Sequence, residues 1–201
     1  MEKYFKYGEQ EIAHLSKKDK KLGAAIERIG MIKRSVNPDL FAALIESIVG
    51  QQISAKAADT VCNRLYELCS FNAERLHALP TSEVQSCGMS MRKAEYIKNI
   101  AEITVTKGVD FDAIQSKTNE EIIYELTKIK GVGVWTVEML LIFSLERHDV
   151  ISYGDLAIRR GMMRLYGLKN LSKEQFSKYA KRYQPYGSIA SLYLWHLSSE
   201  E

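Results

Sequence analysis

Apolar residues recur at spacings of three and four along nearly the whole chain, and only three prolines (Pro38, Pro80, Pro185) interrupt it. That period lines apolar side chains along one stripe of an α-helix, and so few prolines leave almost every backbone N–H able to join a helical ladder. The expectation is an all-α fold. Start signals agree with it. Ser54 stands before Ala55-Lys56-Ala57-Ala58, an N-cap ahead of strong helix formers. Thr118 with Glu121, and Ser172 with Gln175, have capping-box spacing. Gly88, Gly108 and Gly167 stand where helices stop. Helices are expected near 9–16, 20–29, 39–50, 55–69, 73–77, 82–87, 91–106, 118–126, 134–146, 155–166, 173–183 and 187–198. Val150-Ile151-Ser152-Tyr153 is β-prone, but it is short and isolated and reads as an extended loop.

A length of 201 residues allows one ordinary domain or two compact lobes sharing a core. With 46% hydrophobic and 26% charged residues, the chain is globular and not a disordered tail. The net charge of +3 permits nucleic-acid binding without arguing for it. Cys62, Cys69 and Cys87 form an odd set without metal-like pairing, which fits reduced thiols better than a disulfide framework. Met1 to Gln10 is charged and aromatic with no apolar signal region, and no stretch approaches a membrane span. The expected location is intracellular: cytoplasmic in a bacterium or archaeon, nuclear in a eukaryote. His14, His77, His148 and His196 lack metal-ligand spacing. Lys17-Lys18-Asp19-Lys20-Lys21 reads as a solvated helix junction, and Tyr4 and Tyr193 read as core.

The most specific local pattern is Leu126-Thr127-Lys128-Ile129-Lys130-Gly131-Val132-Gly133-Val134-Trp135-Thr136. A capped helix ends, a turn carries two glycines, and a second helix begins. Such glycines let a turn take positive φ and bring bare backbone close to a partner. The second helix then presents free amides and its positive dipole end, which suits a phosphate. Its apolar residues (Val134, Val137, Leu140, Leu141, Phe143) would dock on the first helix. The plain alternative is a helix corner without a ligand. Lys128 and Lys130 beside the turn, and the lack of an acid within it, favour the ligand. The pattern resembles the helix-hairpin-helix DNA-binding motif, with Lys130 where that motif usually has Pro and Val137 where it has Ala. The resemblance implies a monovalent cation, sodium or potassium, held by the carbonyls of Thr127, Ile129 and Val132.

Asp155 follows Val150-Ile151-Ser152-Tyr153-Gly154 and opens a helix, with Arg159 and Arg160 one turn later. It can be a plain N-cap. It can equally be a carboxylate that stabilises positive charge developing on a sugar, with the two arginines at flanking phosphates or merely solvated. The hairpin followed by this aspartate is similar to the signature of the helix-hairpin-helix DNA glycosylase superfamily. Ser47-Ile48-Val49-Gly50-Gln51-Gln52-Ile53-Ser54 resembles the wedge segment of its 3-methyladenine DNA glycosylase II family. Gly88-Met89-Ser90-Met91-Arg92-Lys93-Ala94 and Pro185-Tyr186-Gly187-Ser188-Ile189-Ala190 to Trp195 resemble later parts of that family, over about residues 35–198.

The resemblance implies two helical lobes with a cleft between them: a middle lobe of about 35–125, and a second lobe of 1–34 plus 126–201. Gln52 and Ile53 would fill the vacated base stack, while Lys130, Gly131, Val132, Gly133, Arg159 and Arg160 would contact DNA. Trp135, Trp195 and Tyr153 would line the base pocket, although each tryptophan can also be core. Trp135 stands where lyase members carry a Schiff-base lysine, so the enzyme is expected to be monofunctional. No cysteine follows Cys87, which excludes the iron–sulfur branch. Indole faces attract the polarised rings of alkylated purines. The expected activity is excision of 3-methyladenine or 7-methylguanine from damaged double-stranded DNA by a monomer that needs no cofactor for catalysis. Its rivals are a glycosylase for oxidised or mismatched bases and a non-catalytic helix-hairpin-helix DNA-binding protein. For an RNA-binding helical protein, this chain lacks the expected basic stripes with interleaved aromatics.

Overall fold

A computed structural model describes residues 3–200, so Met1, Glu2 and Glu201 of the expected second lobe lie outside the described residues. The N-terminal elements are β1 (Lys3–Tyr4), α1 (Glu9–Lys18), α2 (Lys20–Ile29) and β2 (Ser35–Val36). The middle of the chain forms α3 (Leu40–Gly50), α4 (Ala55–Cys69), α5 (Ala73–Ala78), α6 (Thr81–Ser86), α7 (Met91–Val105), α8 (Phe111–Ile114), α9 (Asn119–Leu126) and α10 (Val134–Phe143). Three helices follow: α11 (Leu156–Tyr166), α12 (Lys173–Tyr183) and α13 (Gly187–Ser199). The sole sheet among the described residues is the antiparallel pair β1–β2, in register Lys3 with Val36 and Tyr4 with Ser35. Among the described residues no helix is long and apolar enough to cross a membrane.

The caps explain why the helices begin where they do. Ser54 accepts from the Ala57 amide, and both bonds of the Thr118–Glu121 and Ser172–Gln175 boxes form. Gly167 takes the left-handed cap of α11, whereas after α7 that conformation falls on Lys107 (φ +54) rather than on Gly108. Helix α10 ends at Phe143, short of the expected 146, and Glu146 leaves it at φ +50.

Backbone contacts divide the chain into Met1–Val36 with Leu141–Glu201, and Asn37–Leu140. The second boundary falls inside α10, beyond the 125/126 position expected, so the hairpin goes with the middle helices. In the Asn37–Leu140 unit, Leu44, Ile45, Ile48, Leu65, Leu76, Ile97, Ile100, Ile114 and Ile122 are fully buried. In the other unit, Leu15, Leu22, Ile158, Met162, Ile189, Tyr193 and Leu194 form the core, with Tyr193 inside as expected. Tyr4 is not core: it is 43% exposed on its two-residue strand.

The Lys17–Lys21 run is the exposed helix junction expected, except at Asp19. Asp19 caps α2 at the Leu22 amide and is buried, accepting from the Tyr166 hydroxyl (2.6 Å) and Arg182 (3.1 Å). Burial alone would raise its pKa, but the bonds from Tyr166, the Leu22 amide and Arg182 outweigh that and hold the carboxyl below its ordinary range. Four lysines around one aspartate read as a solvated run, yet the short side chain turns inward to its cap.

Candidate functional site

Asp155 opens α11, where its Oδ1 accepts the Ile158 amide at 2.9 Å, and it is 7% exposed. Ahead of it, residues 147–150 are not in a strand, and the start of α13 meets their backbone. The Val150 amide donates to Ser188 Oγ (3.0 Å), and that hydroxyl donates to the Arg147 carbonyl. The Ser188 amide donates to the His148 carbonyl (2.9 Å), and the Gly187 amide to Asp149 Oδ1 (3.1 Å). A β-prone stretch therefore remains an extended loop, fastened at the start of α13 and delivering a nearly buried carboxylate to the start of α11. The helix dipole there favours negative charge.

Arg159 lies on the same face, with its guanidinium 5.2 Å from the Tyr153 ring centre and its Nε buried without a hydrogen-bond partner. Tyr153 packs edge-on against Phe176 (5.2 Å), so it forms a platform beneath Arg159. Arg160 is exposed. Trp195 on α13 is half-buried and lies against Phe143 (5.4 Å), whose ring also carries the Arg34 guanidinium (5.3 Å). Sequence reading gave Phe143 only a packing role. Its contact with Trp195 joins residues far apart in the chain, and no local signal announces it.

The Asn37–Leu140 unit carries the hairpin. Helix α9 ends at the Thr127 cap, whose Oγ1 donates to the Ile123 carbonyl (2.6 Å). The Val132 amide closes a turn on the Ile129 carbonyl at 3.0 Å. Gly131 takes φ +93, and a Cβ there would meet the Tyr96 ring at 2.3 Å. Gly133 does not take a positive φ, and a Cβ there would meet nothing within 4 Å. Gly131 is thus required by the fold, while Gly133 leaves bare backbone facing open space.

Lys130 is exposed, and Lys128 sits 3.8 Å over the Tyr124 ring. Val134 is 51% exposed, so the docking face of α10 is narrower than expected and begins at Val137. Trp135 is 43% exposed, which excludes the plain reading of it as core. Trp135 and Trp195 belong to different units. Val132 and Ile129 are buried, so their side chains anchor the turn, and any ligand must meet backbone.

The segment at Gln51 to Ser54, expected to carry a wedge, forms a second turn in the same unit. Gln51 caps α3, and Gln52 follows at φ +61, a conformation that costs a side chain with a Cβ on the order of 1 kcal/mol. Gln52 and Ile53 are exposed. The Gln51 side-chain amide donates to the Gly131 carbonyl at 3.2 Å, joining the two turns. Among the described residues no cluster of three or more His, Cys, Asp or Glu could hold a metal ion.

Residues 45–185 match the model of the HhH-GPD superfamily base excision DNA repair protein. The chain is 34% identical to DNA-3-methyladenine glycosylase 1 of Schizosaccharomyces pombe, over 92% of this chain and 85% of that protein. The crystal structure of a DNA-3-methyladenine glycosidase from Bacillus halodurans superposes with a TM-score of 0.88 at 34% identity, covering 98% of this chain and 93% of that one. The 3-methyladenine DNA glycosylase of Schizosaccharomyces pombe in complex with abasic DNA superposes with a TM-score of 0.82 at 32% identity, covering 93% and 95%.

Proposed function

The chain belongs to the HhH-GPD superfamily of base excision DNA repair proteins, and from that premise we propose that it is a monofunctional glycosylase excising alkylated purines from duplex DNA. The observation that carries the reading is the nearly buried Asp155 at a helix start, in a chain whose hairpin keeps a positive-φ Gly131 and an open Gly133. The relatives named for 3-methyladenine supply the substrate class.

Each unit has its own part in the mechanism. In the Asn37–Leu140 unit, the Gly131–Gly133 backbone and Lys130 grip a phosphate, and Gln52 with Ile53 fills the stack that the flipped nucleotide vacates. The carbonyls of Thr127, Ile129 and Val132 are neutral oxygen donors at or beyond the end of α9, a set that suits sodium or potassium. Such a cation, when bound, adds positive charge for that phosphate. In the other unit, Asp155 faces the sugar, stabilises the oxocarbenium-like charge as the base departs and orients water. Arg159, raised on the Tyr153 ring, and Arg160 stand by for flanking phosphates. Trp135 and Trp195 each offer an indole face to an electron-poor alkylated ring. No metal or cofactor takes part in bond breaking, and the protein acts as a monomer.

Trp135 in the fifth position from Gly131 leaves no amine there to attack the sugar. Incubation with methylated duplex should release free alkylpurine, leave the abasic strand intact and give no borohydride-trapped adduct. A trapped adduct would overturn the monofunctional reading and point to Lys128 or Lys130.

The two glycines should separate on mutation. Gly133→Ala has room, so its melting temperature should stay within about 2 °C of wild type, yet duplexes of any sequence should bind more weakly because backbone reads backbone. Gly131→Ala must displace Tyr96 and should lose both stability and binding. Thermal melting and affinities for two unrelated duplex sequences check both. If Gly133→Ala bound DNA normally, the hairpin grip would be placed elsewhere.

A further inference from the structure

Helix α7 takes no direct part in the mechanism above, yet it touches both turns that do. Lys93 and Tyr96 are three residues apart and so lie on one face of the helix. The Lys93 ammonium donates to the Val49 carbonyl (2.7 Å) and the Gln51 carbonyl (2.5 Å), closing the C-terminal end of α3 where orphan carbonyls and the negative dipole end collect. One turn on, the Tyr96 ring fills the space that a Gly131 side chain would need. Gln51, held by its carbonyl on Lys93, donates through its side chain to the Gly131 carbonyl (3.2 Å). The next residue is Gln52, kept at φ +61. All of these groups lie in the Asn37–Leu140 unit.

We propose that Lys93, Gln51 and Tyr96 are positioning residues that lock the wedge turn and the phosphate-gripping hairpin into one rigid reading head. The inference rests on the reading of Gln52 as the residue that fills the vacated stack. A non-glycine residue at positive φ persists only where its surroundings over-determine it. Here one charge-assisted bond from Lys93 fixes the carbonyl immediately before it, a second fixes the Val49 carbonyl at the end of α3, and the Gly131 bond fixes the distance between wedge and grip. A phosphate seated on the hairpin therefore sets the depth to which Gln52 enters the duplex. Burial of the Lys93 ammonium lowers its pKa, in keeping with a group built in rather than extended to solvent.

The test is a double-variant cycle on binding. Affinity is measured for an undamaged duplex and for the same duplex carrying an abasic-site analogue, in wild type, Lys93→Met, Gln52→Ala and the double variant, each checked by thermal melting. Lys93→Met should keep affinity for undamaged DNA within about twofold and lower the preference for the abasic duplex roughly tenfold, the scale of one lost charge-assisted bond. The double variant should be no weaker than Gln52→Ala alone, because both changes disable the same wedge. Lys93→Arg, which can still reach both carbonyls, should restore most of the preference.

Additive losses in the double variant, or equal losses on both duplexes, would overturn the proposal. If Lys93→Met melts too early, Gln51→Met removes only the donor to Gly131 and enters the same cycle with the same two outcomes. Base release by the wild type is assayed on the same preparation. Its failure would remove the excision reading and leave the binding cycle to decide the lock.

Discussion

Asp155→Asn is expected to keep the fold and the affinity for duplex DNA while slowing base release by about a hundredfold or more. The fold should survive because Asn is nearly isosteric and caps helices as well as Asp does, so the bond to the Ile158 amide (2.9 Å) has a replacement acceptor. Affinity should survive because the hairpin and wedge lie in the other unit, and removing one carboxylate does not weaken attraction to phosphates. What disappears is a fixed negative charge at the start of α11, nearly buried and so little screened by solvent. Interactions present only in the transition state appear in the chemical step, so the loss should be read in the single-turnover rate at saturating enzyme. Release at near wild-type rate would reduce Asp155 to a helix cap.

The largest effect on stability is expected from Gly161→Ala. Helices α11 and α13 cross so closely there that a Cβ on Gly161 would lie 1.9 Å from the Leu194 carbonyl oxygen and 2.6 Å from its carbonyl carbon. The obstacle is backbone, so no rotamer change relieves it, and the two helices must move apart through a core that includes Ile158, Met162, Ile189 and Leu194. A cost of about 3 kcal/mol or more follows, which for a chain of this size lowers the melting temperature by roughly 6–12 °C. Calorimetry measures it directly. The same separation would loosen the hold of α13 on residues 147–150 and hence the aim of Asp155, so whatever folds should also excise slowly. A variant that melts within about 2 °C of wild type would show that this crossing is not as close as described.

These two residues also show what could be read from sequence. Asp155 was legible because an N-cap is a local event: a short acceptor, a glycine before it and helix formers after it are neighbours in the chain. Several helices followed for the same reason, announced by their own caps as at Ser54, Thr118 and Ser172. Helix α8 escaped because four residues span barely one turn, too few to show any period. The β1–β2 pair escaped because two residues a side have no alternation to display.

Gly161 was invisible for a different reason. It stands unremarkably between Arg160 and Met162, and only the path of α13, thirty-odd residues later, makes its missing side chain a requirement. Lys93 is similar, since its carbonyl partner on Gln51 is 42 residues away. Asp19 looks solvated in sequence because its neighbours are lysines, and only the fold brings Tyr166 onto it. Of the candidate site, the positions at the starts and ends of helices were legible. The aromatic supports beneath them, Phe143 behind Trp195 and Phe176 against Tyr153, exist only once distant segments pack.

The central claim, excision of alkylated purines, is tested most directly by chromatography of the free bases released from matched duplexes. One set carries methylated purines, a second carries oxidised bases, and a third carries mismatches, each incubated with wild-type protein in excess. Release of 3-methyladenine and 7-methylguanine from the first set and little from the others is expected, with the release slowed about a hundredfold or more in Asp155→Asn. Preferred release of oxidised or mismatched bases would contradict the substrate class. Tight binding to every duplex with release from none would leave a DNA-holding protein in place of an enzyme.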